Sequence, residues 1–207
     1  MFKLYTAPGT CALAVHIVLE ETGAPYEVAW LDLRQAQQRA PEYLALNPRG
    51  RVPALATPQG LLTETPALLV YLGQVFPDAH LLPDDAFSLA RLQAVQSYLA
   101  STVHVAHAHG PRGARWVDAG DTAALEAMKR KVPHTMAEGF DMIERDLLAG
   151  PWVMGEQYTV ADAYLYTIAR WLEGDGVDPA RFPRVLDHTR RMAARPAVAR
   201  VLAQLPA

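Results

Sequence analysis

The sequence predicts an α/β unit followed by an all-α unit, and three observations carry that reading. Strand and helix patterns alternate up to about Phe76. A Pro/Asp-rich stretch then intervenes, from Phe76-Pro77-Asp78 through Leu82-Pro83-Asp84-Asp85. Beyond it only helical periods recur. The expected units are residues 1–76 and 87–207, joined by a linker at 77–86. No internal repeat or low-complexity tract is present.

Each element follows from local chemistry. Phe2-Lys3-Leu4-Tyr5 reads as a strand, and Pro8-Gly9 as a turn. Thr10 is the expected N-cap of a helix over 11–22, which Gly23 ends. That helix is apolar nearly all round, so it needs cover on more than one side. A second strand is expected over 27–33 and a short helix over 41–46. Asn47-Pro48-Arg49-Gly50 is a turn. Strands over 52–57 and 61–62 flank Pro58-Gln59-Gly60 as a hairpin, and a helix follows over 65–75. The order βαβαββα describes a mixed four-stranded sheet. Helical periods then cover 87–109, 122–148, 160–171 and 185–205. Pro133 should start, kink or break a helix, and Pro196 should start or kink the last one.

Composition narrows the function. The 207 residues are 51% hydrophobic, enough for a sizeable core. A formal charge of −3 gives no electrostatic case for nucleic acid or an acidic membrane. One cysteine cannot form an intramolecular disulfide and suits a reducing compartment. Residues 1–13 lack a secretory pattern, and no apolar run is long enough to span a bilayer. A cytoplasmic location is expected.

The chemistry is expected at Tyr5-Thr6-Ala7-Pro8-Gly9-Thr10-Cys11-Ala12. Cys11 falls in the first turn of a helix, where free N–H groups and the helix dipole favour a thiolate. The alternative is a small buried apolar residue. Val52-Pro53 opens a strand, where proline leaves neighbouring backbone groups free for an extended peptide. Thr65 before Pro66 reads as an N-cap whose free N–H groups suit a carboxylate, and Glu64 suits an amine. Thr159-Val160-Ala161-Asp162 is a capping box with a structural role. His104 and His107 share a helix face, but His109 does not, and no further ligand completes a metal set. Arg49 and Arg51 flank the turn before Val52; they read as solvated, with one available to an anionic ligand.

Together these pieces resemble the glutathione S-transferases, specifically the bacterial beta class. The matching stretches are Tyr5 to Leu13, His16-Ile17-Val18-Leu19, Ala45 to Leu55, Leu62-Thr63-Glu64-Thr65, Ala100 to His104 and Thr159 to Leu165. Their order and spacing span nearly the whole chain. The resemblance implies a thioredoxin-like N-terminal domain, a helical C-terminal domain and a homodimer. It implies that Cys11 faces the glutathione sulfur, with His104 near it and Tyr5 as the N-terminal tyrosine. Val52, beside a cis Pro53, would pair with the cysteinyl unit. Glu64 and Thr65 would hold the γ-glutamyl head group, and Arg51 joins this binding set. The chain departs from the class at Val105, where lysine is usual, so that position supplies no cation near the sulfur. Ala14 excludes a dithiol mechanism with Cys11.

The implied reaction is attack of glutathione, a consumed cosubstrate, on a small, mostly apolar electrophile, without a metal. Residues 104–110 and Trp116 are expected to line the acceptor pocket. Two alternatives stand beside it. One is glutathione-dependent thiol exchange or peroxide reduction through Cys11. The other is a non-catalytic ligand-binding protein of the same fold.

Overall fold

The computed structural model describes residues 1–206. Its strands are β1 (Phe2–Thr6), β2 (Tyr26–Trp30), β3 (Ala54–Thr57) and β4 (Gly60–Thr63). Its helices are α1 (Ala12–Thr22), α2 (Pro41–Leu46), α3 (Thr65–Val75), α4 (Ala86–Tyr98), α5 (His104–His109), α6 (Thr122–Met142), α7 (Val160–Ala169), α8 (Pro183–Ala193) and α9 (Pro196–Ala203).

The strands form one mixed sheet in the order β2-β1-β3-β4. β1 and β2 run parallel, with Leu4 opposite Val28, so their connection must cross over the sheet; α1 is that crossover. β3 runs antiparallel to β1, with Leu4 opposite Leu55, and β4 antiparallel to β3. This is a thioredoxin-like arrangement. Among the described residues no strand follows Thr63; the second half carries only an isolated bridge between Trp152 and Gly155.

Helix α1 is covered as its composition demands. Ala12, Ala14, Val15, Ile17, Val18 and Leu19 are all buried, and α3, α7 and α9 pack against it. Burying each large aliphatic side chain contributes about 1.5–3 kcal/mol. Gly23 ends the helix at φ 67°, a left-handed conformation that glycine adopts without a Cβ penalty.

Several boundaries differ from the sequence reading for local reasons. β2 stops at Trp30 because Asp32 accepts from the N–H groups of Arg34 and Gln35 and closes a turn. Pro133 lies inside α6 and does not end it. The last helical period divides into α8 and α9, with Pro196 opening the second. A π-helical segment, Leu99–Val103, joins α4 to α5, the kind of irregularity often found at functional sites.

Helix α7 anchors the helical half. Its capping box is complete: the Thr159 hydroxyl and the Asp162 carboxylate satisfy each other's backbone ends. Asp162 is fully buried and accepts from Thr159 N (2.7 Å), Val153 N (2.7 Å) and His188 Nε2 (3.0 Å). The box therefore ties α7 to the loop before it and to α8. No helix among the described residues is long and apolar enough to cross a membrane.

Candidate active site

A cavity of about 350 Å³ opens between the sheet-bearing half and the helical half. The first half contributes Cys11, Arg49, Arg51, Val52, Pro53, Glu64 and Thr65, and the second contributes His104 and its neighbours. Of the residues expected to act in catalysis or to bind glutathione, Tyr5 alone is outside the lining. Alternation along β1 explains this correction. Leu4 and Thr6 are buried on one face, while Tyr5 takes the other and packs on Tyr43 of α2, ring centres 5.7 Å apart.

The loop after β1 places Cys11 differently from expectation. The Thr10 hydroxyl donates to Ala7 O (2.7 Å) and caps nothing. Cys11 itself occupies the N-cap position, so its sulfur sits at the mouth of α1. It is 7% exposed, and its thiol donates to Val52 O at 3.8 Å. Burial pushes the Cys11 thiol up, against the opposing pull of the Thr65 hydroxyl, the Arg112 guanidinium and the helix backbone. The helix end alone therefore does not make Cys11 acidic: desolvation outweighs it.

Val52 precedes the first laddered residue, Ala54, and its peptide bond to Pro53 is cis. Its backbone faces the cavity with no strand beside it. The segment is pinned from below, because Tyr43 Oη (2.7 Å) and Asn47 Nδ2 (2.8 Å) both donate to Arg51 O. Asn47 is buried, so this support is built into the core.

The end of α3 is shifted by one residue from the sequence reading. Glu64 is the N-cap and Thr65 the first helical residue, with Pro66 behind it. Thr65 and Ala67 keep N–H groups without intrahelical acceptors, and the buried Thr65 hydroxyl lies beside them. Glu64 stands at φ 72°, ψ 114°, a strained backbone for a side-chain-bearing residue. Arg49 Nη1 donates to Glu64 Oε1 at 2.9 Å, so Arg49 is paired while both side chains stay exposed to solvent.

The opposite wall holds what the sequence reading missed. Val105 supplies no cation, but the turn after α5 supplies two, Arg112 and Arg115. His107 Nδ1 lies 2.8 Å from Asp175, and its ring stacks on Trp171 at 4.2 Å. His104 packs on the same indole at 5.0 Å, whereas His109 turns away to Trp116 at 4.4 Å. Burial first, then the neighbouring His107 and the guanidinium groups of Arg112, Arg115 and Arg51, push His104 down to about 4, so its imidazole is neutral at neutral pH. This wall is thus aromatic and cationic rather than simply apolar. Arg112-Gly113-Ala114-Arg115-Trp116, a basic and aromatic turn, was the signal available in the sequence.

Chemically, the cleft offers a free extended backbone, an unsatisfied helix end beside a carboxylate, and a thiol donor between them. Comparison with known proteins agrees. The family model for the glutathione S-transferase N-terminal domain matches residues 1–74, and that for the C-terminal domain matches residues 123–204. The chain is 32% identical to glutathione S-transferase GstA of Escherichia coli O157:H7, covering 95% of this chain and 94% of that one. It is 31% identical to a maleylacetoacetate isomerase of Pseudomonas aeruginosa, with 94% and 92% covered. A crystal structure of a glutathione transferase homolog from Sulfitobacter, with bound glutathione, superposes with a TM-score of 0.96 at 45% identity over 99% of this chain and 98% of that one.

Proposed function

We infer the chemistry from one premise: the chain belongs to the glutathione S-transferase family. Within it, the chain reads as a beta-class transferase that joins the glutathione thiolate to a small electrophile. The observation that carries this reading is that Cys11, Val52 and the Glu64–Thr65 helix end line one cavity. An extended tripeptide laid along Val52 would pair with its backbone as an added strand. Its γ-glutamyl carboxylate would meet the N–H groups and hydroxyl at Thr65, and its amine would meet Glu64. Its sulfur would then fall at Cys11. Residues 1–76 form the glutathione-binding unit in this reading, and 87–207 supply the acceptor wall.

Cys11 acts as a hydrogen-bond donor. Burial keeps its thiol protonated, and that thiol already donates to Val52 O. Beside a bound glutathione it would donate to the sulfur and favour the thiolate there. Neutral His104 and the guanidinium of Arg112 stand on the far side of the same space. The nucleophile is glutathione's sulfur: the carbon–sulfur bond forms, the leaving group departs with its electron pair, and the thiol proton passes to solvent. Thiol exchange through Cys11 needs a thiolate at Cys11 itself, which burial opposes. Turnover of glutathione with a neutral aryl halide tests the reading, against turnover with a mixed disulfide. A rate with the halide that saturates in glutathione is expected. A rate confined to the disulfide would move the assignment to exchange, and glutathione binding without either would leave a carrier.

A homodimer belongs to the same proposal, on family resemblance. Sedimentation is expected to give about twice the 22.7 kDa chain mass. A monomer at micromolar concentration would contradict it.

A further inference from the structure

We propose that the acceptor subsite takes an electrophile bearing a carboxylate, held by Arg112 and Arg115. This rests on the glutathione reading above and names the class of its second substrate.

Four arginines line the cavity, and Arg49 is neutralised by Glu64 at 2.9 Å. Among the described residues, no ion pair engages Arg51, Arg112 or Arg115. The carboxylate of Asp175 is already committed to His107. Burial and the nearby charges of Arg112, Arg51 and Arg39 pull the Arg115 guanidinium below the usual arginine range, as expected of a cationic cluster short of anions.

Glutathione does not use up these cations. It brings two carboxylates, and one goes to the end of α3. A tripeptide extended along Val52 carries its glycyl carboxylate toward Arg51, the preceding residue. Arg112 and Arg115 remain, on the opposite wall beside His104 and the indoles of Trp116 and Trp171.

The fold holds these two arginines in place. Arg112 N donates to Ala108 O (2.9 Å) and Arg115 N to Arg112 O (3.0 Å), a tight turn that continues α5. Residues three apart in such a turn project to the same side. Gly113 between them is buried, and a Cβ there would meet Leu125 Cδ2 at 2.9 Å, so the turn is seated directly on α6. A planar carboxylate fits a pair of guanidinium forks, and the indole faces suit a flat aryl or unsaturated remainder.

A matched pair of probes tests this: 4-chloro-3-nitrobenzoate and its neutral methyl ester. In both, the glutathione sulfur displaces chloride, which leaves with its electron pair while the thiol proton goes to solvent. Rates are divided by the uncatalysed rate of each probe. The wild-type protein is expected to favour the carboxylate in kcat/KM by at least about tenfold. In the Arg112→Gln/Arg115→Gln variant that preference should collapse toward unity, with the ester rate as the internal control for any change in glutathione binding or thiolate stabilisation. An ester used equally well by the wild type would overturn the proposal. So would a preference that survives the double substitution. If neither probe turns over, the conjugation reading fails on its own. The affinities of the two preformed glutathione conjugates then decide the subsite by the same ratio.

Discussion

The Cys11 thiol points at the Val52 carbonyl oxygen, 3.8 Å away, across 41 positions of sequence. This joins the helix end that holds the sulfur to the backbone segment offered to a ligand. It also fixes the state of the cysteine, because a thiolate facing a carbonyl in a buried site has nothing to donate. Alkylation of the unliganded protein by iodoacetamide should therefore rise with an apparent midpoint above the ordinary cysteine value of 9.0. A midpoint below that value would mean that Arg112 and the helix end outweigh burial.

The head-group end gives a second prediction. Thr65→Ala removes a hydroxyl that the proposed carboxylate would accept from. The loss in glutathione affinity should be about 1–3 kcal/mol by calorimetric titration. Unchanged affinity in a folded variant would remove the γ-glutamyl unit from the start of α3.

Asp162 should behave as a structural residue. Asp162→Ala leaves the N–H groups of Thr159 and Val153 and the ring of His188 without their acceptor in a fully buried site. A loss of about 3–5 kcal/mol in urea unfolding is expected. In the fraction that stays folded, glutathione affinity should be close to normal. A stable Asp162→Ala protein that has lost glutathione binding would reverse the assignment.

His104 sets a pH dependence. Its folded value of about 4 lies below the ordinary 6.5, so the unfolded chain binds more protons between those values. Stability should therefore fall as pH drops through that window and be level above it. Urea midpoints measured across the window check this, and His104→Asn should flatten the slope. A midpoint that rises on acidification would contradict the sign.

Much of this architecture is legible in the sequence, where one local signal decides the outcome. Gly23 ends α1, Pro66 and Pro196 open helices, and the Thr159–Asp162 box is visible as four letters. The cavity residues from the first half were legible for the same reason: each belongs to a turn or helix end. Positions that depend on tertiary balance were not. Thr10 reads as a cap, but its hydroxyl finds Ala7 O first. The acidity expected of Cys11 is a property of an exposed helix end, and burial in the folded protein outweighs it. Tyr5 lies four residues before Gly9, the first cavity residue, yet strand alternation turns it to the opposite face. The cation missing at Val105 returns from Arg112 and Arg115, which no period or spacing links to Cys11.

The central claim is that this cleft binds glutathione and ionises its thiol through hydrogen bonding at position 11. The chain has one cysteine, so in Cys11→Ser every thiol in solution belongs to glutathione. Ultraviolet titration of the thiolate in that variant, saturated with glutathione, reads the ionisation directly. An apparent pKa at least about one unit below that of free glutathione is expected, since the serine hydroxyl still donates to the sulfur. A titration that coincides with free glutathione would contradict it.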